Sequence, residues 1–578
     1  MGRCVLVGVN AKYVHTNLAI RYLQAAVNGA AAICEVTIND RVENIVDKLL
    51  RLEADYYGFS CYIWNMDVIR RVTEVLKKSL PEVKIFWGGP EVSYDAGAQI
   101  ANFPWVDYIL AGEAEESFPE FLAALERGDD EALARIAAVW GRSFDGGQLA
   151  LVENLEALKF PYTQTSLAAL SGKIIYYESM RGCPFHCAYC LSSTLKKVRT
   201  LPLDRVLREI DFFIDAGVRQ VKFVDRTFNV DLNRAKAIFR HLIARGGATN
   251  FHFEMAGDLL DEEALDIIST APAGLMQFEI GIQSTWPATL AAIARKTDFE
   301  KIAANVRRLV NFKNCHIHVD LIAGLPWEDY RQFGRSFDDV FALGADMLQL
   351  GFLKLLKGTG IREAAADYGY RFADFPPYEV IANDFISARE LRRLKDIETV
   401  LDRLHNAGIL KKTLAYIFEA QLWTSPFAFF ETIADRWREA GYFEVGLSKD
   451  QLYSLFLAFL KTAVQNPAQL EVLEDLVKFD YLSGGNRSLP KCFTDDRPSK
   501  EAAFELLKNE AFAAACLPEL AGQAAKWRIK QVFFQSFTKA ALRAAGLTTA
   551  RGKGRGLCVF YEGDGRLVPE IYTEGEQG

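Results

Sequence analysis

Histidine is scarce in this chain of 578 residues, which contains only 7. The scarcity limits any metal chemistry that depends on imidazole ligands. No apolar stretch could span a bilayer: the longest, near 452–464, is interrupted by Lys461 and falls short of the roughly 20 residues that a span requires. The first residues lead directly into an apolar segment, without the basic region and cleavage site of a secretory signal. We therefore expect a cytoplasmic protein with no membrane partner.

Composition places the chain among large globular proteins. Hydrophobic residues make up 50% and charged residues 25%, which excludes disordered and fibrous classes. The net charge of −8 argues against a general nucleic-acid binder, although a local basic groove stays open. The length exceeds what one hydrophobic core supports, so several domains are expected.

The first 150 residues alternate short apolar strands with amphipathic helices. Strands are predicted at 4–9, 34–38, 56–60, 84–87 and 108–111. The alternation predicts a Rossmann-like, doubly wound α/β domain, whose ligands lie beyond the carboxyl ends of parallel strands. Glycine turns at two of those ends, Gly88–Gly89 and Gly112, would let a nucleotide-like or tetrapyrrole ligand approach the backbone closely. Ordinary tight turns are the alternative.

A linker is predicted at 151–172, followed by a second alternating domain at 173–375. Its strands are predicted at 174–179, 220–225, 250–255, 276–283, 316–323 and 347–354. Six strand–helix units predict a partial TIM barrel of (βα)6 type, with its chemistry at the strand C-termini. Residues 376–578 are predicted to form a mostly helical domain. Its helices are predicted at 380–404, 413–419, 427–440, 449–463 and 501–514, before a closing hairpin of strands at 557–561 and 567–572.

Three of the ten cysteines are clustered. Cys183, Cys187 and Cys190 follow the first barrel strand with the spacing Cys-x3-Cys-x2-Cys. Three thiolates on one loop can ligate three irons of a cubane cluster and leave the fourth iron open. A zinc site would require a fourth ligand, and His186 inside the loop keeps that alternative open. The seven scattered cysteines suit a reducing cytoplasm.

This motif, with the aromatic Tyr189 before its last cysteine, resembles that of the radical S-adenosylmethionine (SAM) superfamily. The resemblance implies a [4Fe–4S] cluster on the three cysteines, whose open iron binds SAM. It also implies reductive cleavage to a 5′-deoxyadenosyl radical, with electrons from an external one-electron reductant such as flavodoxin or ferredoxin. The SAM-binding residues that it implies are Asp225, Glu254, Gln283, Ser284, Lys296 and Gly324. Asp225 stands where the superfamily has a Gly-Gly-Glu-type turn for the methionyl amine, and the glycines are absent.

A parallel sheet ahead of such a barrel resembles the cobalamin-binding radical SAM subfamily, over roughly Cys4–Gly360. The cobalamin-binding residues that this implies are Asn10, Ser60, Tyr62, Trp64, Gly88, Gly89, Glu91, Gly112 and Glu113. The Asp-x-His-x-x-Gly loop that supplies an imidazole to cobalt is missing, and we interpret His15 as a structural residue rather than a displaced ligand. Trp64 is our preferred candidate to cover the vacant cobalt face; packing of its loop on the barrel is the alternative.

The resemblance implies an enzyme, most simply a methyltransferase that uses methylcobalamin to methylate an unactivated carbon. A rearrangement, cyclisation or ring contraction without methyl transfer is a second hypothesis. A non-catalytic iron–sulfur or cobalamin sensor is a third. The substrate class is left open between a small molecule, a peptide and RNA, and the C-terminal region resembles an extension of unknown function.

Overall fold

The computed structural model describes residues 2–195, 197–547, 552–569 and 572. The chain divides into two compact units, Met1–Leu391 and Arg392–Gly578. The first unit is α/β and the second is mostly helical, as predicted. Among the described residues, no helix is both long and apolar enough to cross a membrane.

The N-terminal part of the first unit is a six-stranded sheet covered by helices. Its strands are β1 (Cys4–Asn10), β2 (Ala31–Thr37), β3 (Tyr56–Ser60), β4 (Lys84–Gly88), β5 (Tyr108–Leu110) and β6 (Val139–Gly141). Its helices are α1 (Leu18–Ala26), α2 (Val42–Leu50), α3 (Met66–Ser79), α4 (Pro90–Ser93), α5 (Ala96–Asn102), α6 (Phe118–Arg127) and α7 (Asp130–Arg135). The strand order is β2-β1-β3-β4-β5-β6, parallel except for the unpredicted β6, which pairs antiparallel with β5. The order changes direction beside β1, where doubly wound sheets bind ligands.

A second sheet forms the predicted partial barrel. Its strands are β7 (Ile174–Tyr177), β10 (Gln220–Phe223), β11 (Asn250–Met255), β12 (Met276–Gln283), β13 (His316–Ala323) and β14 (Met347–Phe352), while β8 (Met180–Arg181) and β9 (Arg199–Thr200) form a separate ribbon. Its helices are α8 (Gln164–Ala169), α9 (Leu203–Asp215), α10 (Leu232–Arg245), α11 (Glu262–Ser269), α12 (Pro287–Ala292), α13 (Phe299–Phe312) and α14 (Tyr330–Phe341). The order is β14-β13-β12-β11-β10-β7 and all five pairings are parallel. β7 and β14 are the two edges, so the barrel is open.

The segment after the barrel differs from the prediction. It contains α15 (Gly360–Glu363), β15 (Arg371–Phe372), β16 (Val380–Ala382) and α16 (Ala388–Leu401). The predicted helix at 380–404 is therefore wrong at its start, because Val380–Ala382 pairs antiparallel with β15. α16 crosses the division between the two units, and the domain boundaries given above stay predictions.

The second unit continues with helices and a three-stranded sheet. Its helices are α17 (Lys411–Glu419), α18 (Pro426–Glu439), α19 (Lys449–Ala463), α20 (Pro467–Ser483), α21 (Lys500–Lys508), α22 (Glu510–Cys516), α23 (Ala525–Arg528) and α24 (Lys539–Ala544), and its strands are β17 (Val532–Thr538), β18 (Arg555–Tyr561) and β19 (Asp564–Leu567). The helix predicted at 501–514 is two helices, because the Asn509 side chain caps α22 by accepting from the Phe512 amide. The hairpin turn is Glu562–Gly563, where φ is positive at both residues, as a two-residue turn between twisted strands requires. Residues 570–571 of the last predicted strand lie outside the described residues.

Candidate functional site

A narrow apolar slot lies at the carboxyl edge of the N-terminal sheet. Its volume is about 200 Å³, and its walls come from β1, β3, β4, β5 and α1. Six residues predicted to bind cobalamin line it: Ser60, Tyr62, Gly88, Gly89, Gly112 and Glu113. Leu6, Ile20, Phe86 and Leu110 provide apolar surface, so the slot fits an aromatic group inserted edge-first between sheet and helix.

Glycine is required at two points of this slot. Gly89 has φ +110, and a Cβ there would lie 2.6 Å from the Cys61 carbonyl oxygen. Gly112 has φ +92, and a Cβ there would lie 2.3 Å from the Ala150 carbonyl oxygen. Side chains at either position would strain the backbone and clash with it. The slot is thus bounded by bare backbone, which suits the close approach of a nucleotide tail such as that of cobalamin.

Three residues predicted to bind cobalamin do not line the slot. The Asn10 amide donates to the His15 carbonyl at 3.1 Å. Glu91 is buried, accepts a hydrogen bond from the Tyr378 hydroxyl and pairs with Lys357. These contacts hold Asn10 and Glu91 outside the slot wall, and their contact with cobalamin stays a prediction.

Trp64, the preferred residue for the cobalt face, lies beside the slot rather than in its wall. Its ring stacks on Tyr62 with centroids 4.4 Å apart and planes within 8°, and 49% of the residue is exposed. His15 Nδ1 lies 2.7 Å from the hydroxyl of Tyr176 on β7. Trp64 therefore offers an exposed aromatic surface next to the slot, and its role toward cobalt stays a prediction.

The cysteine loop lines a second cavity, at the mouth of the barrel. Cys183, Cys187 and Cys190 all face this cavity. The loop is held from both sides: the Ala188 amide donates to the Ile293 carbonyl and the Ala188 carbonyl accepts from the Ile361 amide, each at 2.9 Å. His186 is exposed and does not line the cavity. Three thiols without a fourth cysteine or histidine in the cavity wall fit a cluster with one open iron better than zinc.

Arg295 is the cation next to the cysteines. Its guanidinium donates to the Tyr189 hydroxyl at 3.2 Å, approaches Cys187 Sγ at 3.9 Å and also donates to the Gly281 carbonyl. Burial raises the pKa of the Cys187 thiol, and Arg295 opposes that rise by favouring the thiolate. Thiolate is the form that binds iron, so Arg295 prepares this thiol for a cluster.

Three of the residues predicted to bind SAM line this cavity, namely Glu254, Gln283 and Lys296. Gln283 has φ +75 at a bulge where the β12–β13 register shifts, and such bulges often redirect side chains at active sites. Burial raises the pKa of Glu254, partly offset by Arg226 and Lys222. These groups offer carboxylate, amide and ammonium contacts beside the cysteines.

The other three are used structurally. Ser284 is fully buried and donates to Glu328 Oε1 at 2.7 Å. The Gly324 carbonyl accepts from the Tyr370 hydroxyl at 2.9 Å, and a Cβ on Gly324 would lie 2.8 Å from Val380. Neither residue lines the cavity, and the contacts of Ser284 and Gly324 with SAM stay predictions.

Asp225 is also turned away from the cavity. It is fully buried, and its oxygens accept from the Ser179 amide at 2.7 Å, the Ser179 hydroxyl at 2.6 Å and the Met180 amide at 3.2 Å. The carboxylate anchors the end of β10 to the chain that enters the cysteine loop. Binding of the methionyl ammonium by Asp225 stays a prediction, which these contacts do not favour.

The pH dependence of stability should report on this anchor. Burial raises the pKa of Asp225 to about 7, against the opposing hydrogen bonds from Ser179 and Met180. In the unfolded chain the pKa of Asp is about 3.9. Between about pH 3.9 and about pH 7 the Asp225 carboxyl group is therefore protonated in the folded chain and ionised in the unfolded chain. The stabilisation that this proton gives the folded state is lost as pH rises through about 7. We expect the melting temperature of Asp225→Asn to fall less than that of the wild type between about pH 5 and pH 7. Exposed Asp266→Asn is the control, and identical profiles for Asp225→Asn and the wild type would contradict the assignment.

The short segment 181–183 contributes one residue to each site. Arg181 lines the apolar slot, and Cys183, two residues later, lines the cysteine cavity. The Arg181 guanidinium contacts Glu113 at 3.2 Å and Glu115 at 2.6 Å, while Arg199 pairs with Glu113 at 2.7 Å. Buried pairs of this kind hold their elements firmly, because removing one partner strands a charge. The start of the cysteine loop is therefore fixed by ion pairs to the acidic residues that line the slot.

Comparison with known families agrees with this geometry. The B12 binding domain matches residues 4–122, the Radical SAM superfamily matches 177–340, and a protein family of unknown function, DUF4080, matches 366–553. Segment by segment, the chain is therefore similar to cobalamin-binding radical SAM proteins. The predicted cofactor set of iron–sulfur cluster, SAM and cobalamin is confirmed at the level of these domains.

Curated relatives cover part of the chain. The 2-(S-pantetheinyl)-carbapenam-3-carboxylate methyltransferase of Streptantibioticus cattleyicolor is 27% identical over 315 residues, 50% of this chain and 45% of that protein. The cobalamin-dependent radical SAM methyltransferase TokK of Streptomyces tokunonensis is 27% identical over 324 residues, 52% of this chain and 47% of that protein. This chain thus matches about half the length of these relatives.

Two solved structures share the fold of this chain. OxsB, with aqua-cobalamin and SAM bound, has a TM-score of 0.56 at 13% identity and covers 83% of this chain and 79% of its own. TsrM of Kitasatospora setae, with cobalamin and a [4Fe-4S] cluster bound, has a TM-score of 0.53 at 16% identity, with 65% and 79% covered. At these identities the likeness establishes the architecture.

Sequence reasoning missed several cavity and slot residues. Arg181 and Glu115 line the slot, and Arg226 and Thr227 line the cysteine cavity. Arg181 had a usable signal, since it immediately precedes the glycine and first cysteine of the motif. The others lie in irregular loops, whose direction no periodic pattern reveals.

Proposed function

We propose that the chain is a cobalamin-dependent radical SAM methyltransferase that methylates an unactivated carbon of its substrate. The observation that supports this most is the short distance in the chain between the two sites: Arg181 lines the slot and Cys183, two residues later, lines the cysteine cavity. Methylation of a carbon radical needs its methyl donor next to the site where the radical forms. A chain that only sensed one cofactor would not need both sites beside one short segment.

The residues present suit both cofactors. Cys183, Cys187 and Cys190 would hold three irons of a [4Fe–4S] cluster, and the slot bounded by Gly89 and Gly112 would hold the nucleotide tail of cobalamin. Together these groups supply reductive cleavage of SAM and a methyl donor that reacts with carbon radicals.

The chain's own side chains orient the reactants and set the charge in the cavity. Arg295 offsets thiolate charge at Cys187. Glu254 presents a buried carboxylate to the cavity, suited to hydroxyl or ammonium groups of SAM. The exposed Lys296 on the cavity wall suits a carboxylate. Each of these contacts fixes the orientation of a bound reactant, which is how a site lowers the entropic cost of reaction.

Electrons must come from outside the protein in this proposal. The other seven cysteines are scattered singly along the sequence, without the close spacing that would predict a second cluster as an internal relay. An external one-electron reductant such as flavodoxin or ferredoxin, in the cytoplasm, would supply the cluster.

The decisive experiment uses anaerobically reconstituted, cobalamin-loaded protein with a reductant and SAM carrying a trideuterated methyl group. Incubation with small-molecule, peptide and RNA fractions should give a product with the labelled methyl group, together with 5′-deoxyadenosine and S-adenosylhomocysteine. Liquid chromatography with mass spectrometry quantifies all three. A substrate-dependent product and 5′-deoxyadenosine without S-adenosylhomocysteine would replace methyl transfer by rearrangement. Absence of SAM cleavage would support a sensor.

A further inference from the structure

A second cluster of metal-binding side chains lies in the barrel, apart from the cysteines. It comprises His252 on β11, Glu279 on β12, and His318 and Asp320 on β13. Glu279 is directly opposite His318 in the sheet register. Alternate residues of a strand face the same side, so these side chains share the lumen of the barrel while Phe253, Phe278 and other apolar neighbours fill its outer core.

The donor atoms of this cluster converge. One ligand atom from each of Glu279, His318 and Asp320 lies within 4.8 Å of the others. His252 Nε2 lies 3.1 Å from Glu279 Oε2, and His318 Nε2 lies 3.3 Å from Asp320 Oδ1. Metal bonds of about 2.1 Å place ligand atoms up to about 4.2 Å apart, so small side-chain adjustments close the set around one ion.

Three of these ligand atoms lack a hydrogen-bond partner among the described residues. They are His252 Nε2, His318 Nε2 and Asp320 Oδ1, all of which are buried. Both histidines are only 7% exposed. The short contacts above therefore lack the alignment of hydrogen bonds. Unsatisfied buried polar atoms are rare and call for a specific cause such as an ion. Two histidine nitrogens that lack hydrogen bonds and face carboxylates are typical of a metal site whose ion is absent.

Lys222 fixes one carboxylate of this cluster. Its ammonium group pairs with Glu279 at 2.9 Å and reaches Glu254 at 3.9 Å. The lysine contact orients the Glu279 carboxylate as outer contacts orient metal ligands.

We propose that His252, Glu279, His318 and Asp320 form a binding site for a divalent metal ion in the barrel lumen, distinct from the iron–sulfur site. Two imidazoles and two carboxylates suit Zn²⁺, Fe²⁺ or Mn²⁺. Glu279 and Asp320 also line the cysteine cavity, so the ion would lie at the floor of the space that the reactants occupy. The site is independent of the proposed methyl transfer.

The test titrates Co²⁺ into the full chain carrying Cys183→Ala, Cys187→Ala and Cys190→Ala, which removes the competing thiolates. One equivalent should bind and give d–d absorption without thiolate charge transfer. Adding His252→Ala or His318→Ala should weaken binding at least about tenfold. His316→Ala is the matched control, because this histidine begins the same strand, is half exposed and contacts Asp346. Its binding should equal that of the parent.

A second measurement uses the wild type, so that the test holds even where a variant fails to fold. X-ray absorption at the zinc edge of Zn²⁺-loaded, cluster-reconstituted wild type should show imidazole scattering and no sulfur. Sulfur ligation, no bound metal, or binding undiminished in both folded histidine variants would each overturn the site. The lumen would then be a polar core balanced by Lys222. SAM cleavage assays separate this outcome from failure of the proposed function.

Discussion

Replacing any one of Cys183, Cys187 and Cys190 with alanine is expected to reduce 5′-deoxyadenosine formation to the background of cluster-free protein. The three thiols line one cavity, and no fourth cysteine or histidine lies in the described wall to substitute for a lost ligand. A cluster short of a protein ligand would be labile or would lose its single open iron. Anaerobic reconstitution, iron and sulfide analysis and quantification of 5′-deoxyadenosine measure the loss.

Cys315→Ala is the matched control for this prediction. Burial raises the pKa of Cys315 to about 12, so its thiol stays protonated and is a poor iron ligand. The control should retain wild-type iron content and cleavage. Retention of both properties in any of the three loop variants would show that the cluster lies elsewhere.

The sequence predicts strands well where a strand is buried on both faces. All seven residues of β1 are buried, and the strand appears in the sequence as the uncharged run 4–9, which ends before the polar Asn10. The strands β11, β12 and β13 begin and end at the predicted residues. By contrast, β6 and β16 have three residues each, too few to show a period, and their partners decide their structure. The extra helical prediction at 380–387 failed because pairing with β15 overrode local propensity.

The site was predictable where its residues are adjacent in sequence. The cysteine motif places three ligands on one loop, and the glycine turns follow directly from strand ends. Asp225 and Ser284 do not line the cavity, because a strand end fixes a position and leaves side-chain direction to distant partners. Ser179 lies 46 residues from Asp225 and Glu328 lies 44 residues from Ser284. Such partners are invisible in one sequence without its fold.

Arg181 shows the same limit across domains. Its partners Glu113 and Glu115 lie 68 and 66 residues earlier by residue number, in the domain that contains the slot. A local motif can place Arg181 before the cysteines, but only the packed sheet and barrel bring these carboxylates to it. The junction of the two sites is therefore a property of tertiary structure.

Gly88→Leu is expected to weaken cobalamin binding by roughly 10- to 100-fold. The iron–sulfur cluster and its cleavage of SAM should be retained, because the variant leaves the cysteine loop unchanged. A Cβ at Gly88 would meet the Leu110 carbonyl oxygen at 3.4 Å, an ordinary contact, so the backbone accepts a side chain. The added side chain occupies the slot that Gly88 lines, and overfilling a packed space costs about 1–3 kcal/mol. That cost corresponds to the stated loss of affinity, measurable by absorbance titration with hydroxocobalamin.

Two further variants serve as controls, one for the size of the added side chain and one for its position. Gly88→Ala adds one methyl group and should lie between the wild type and Gly88→Leu, because the effect depends on filled volume. Gly446→Leu changes a glycine that has open space around its Cβ and should bind cobalamin as the wild type does. Iron content should be equal in all four proteins, since the cysteine loop is not altered. If Gly88→Leu binds cobalamin with unchanged affinity, the nucleotide tail does not enter this slot, and the corrin must be held by the exposed surface around Trp64 instead.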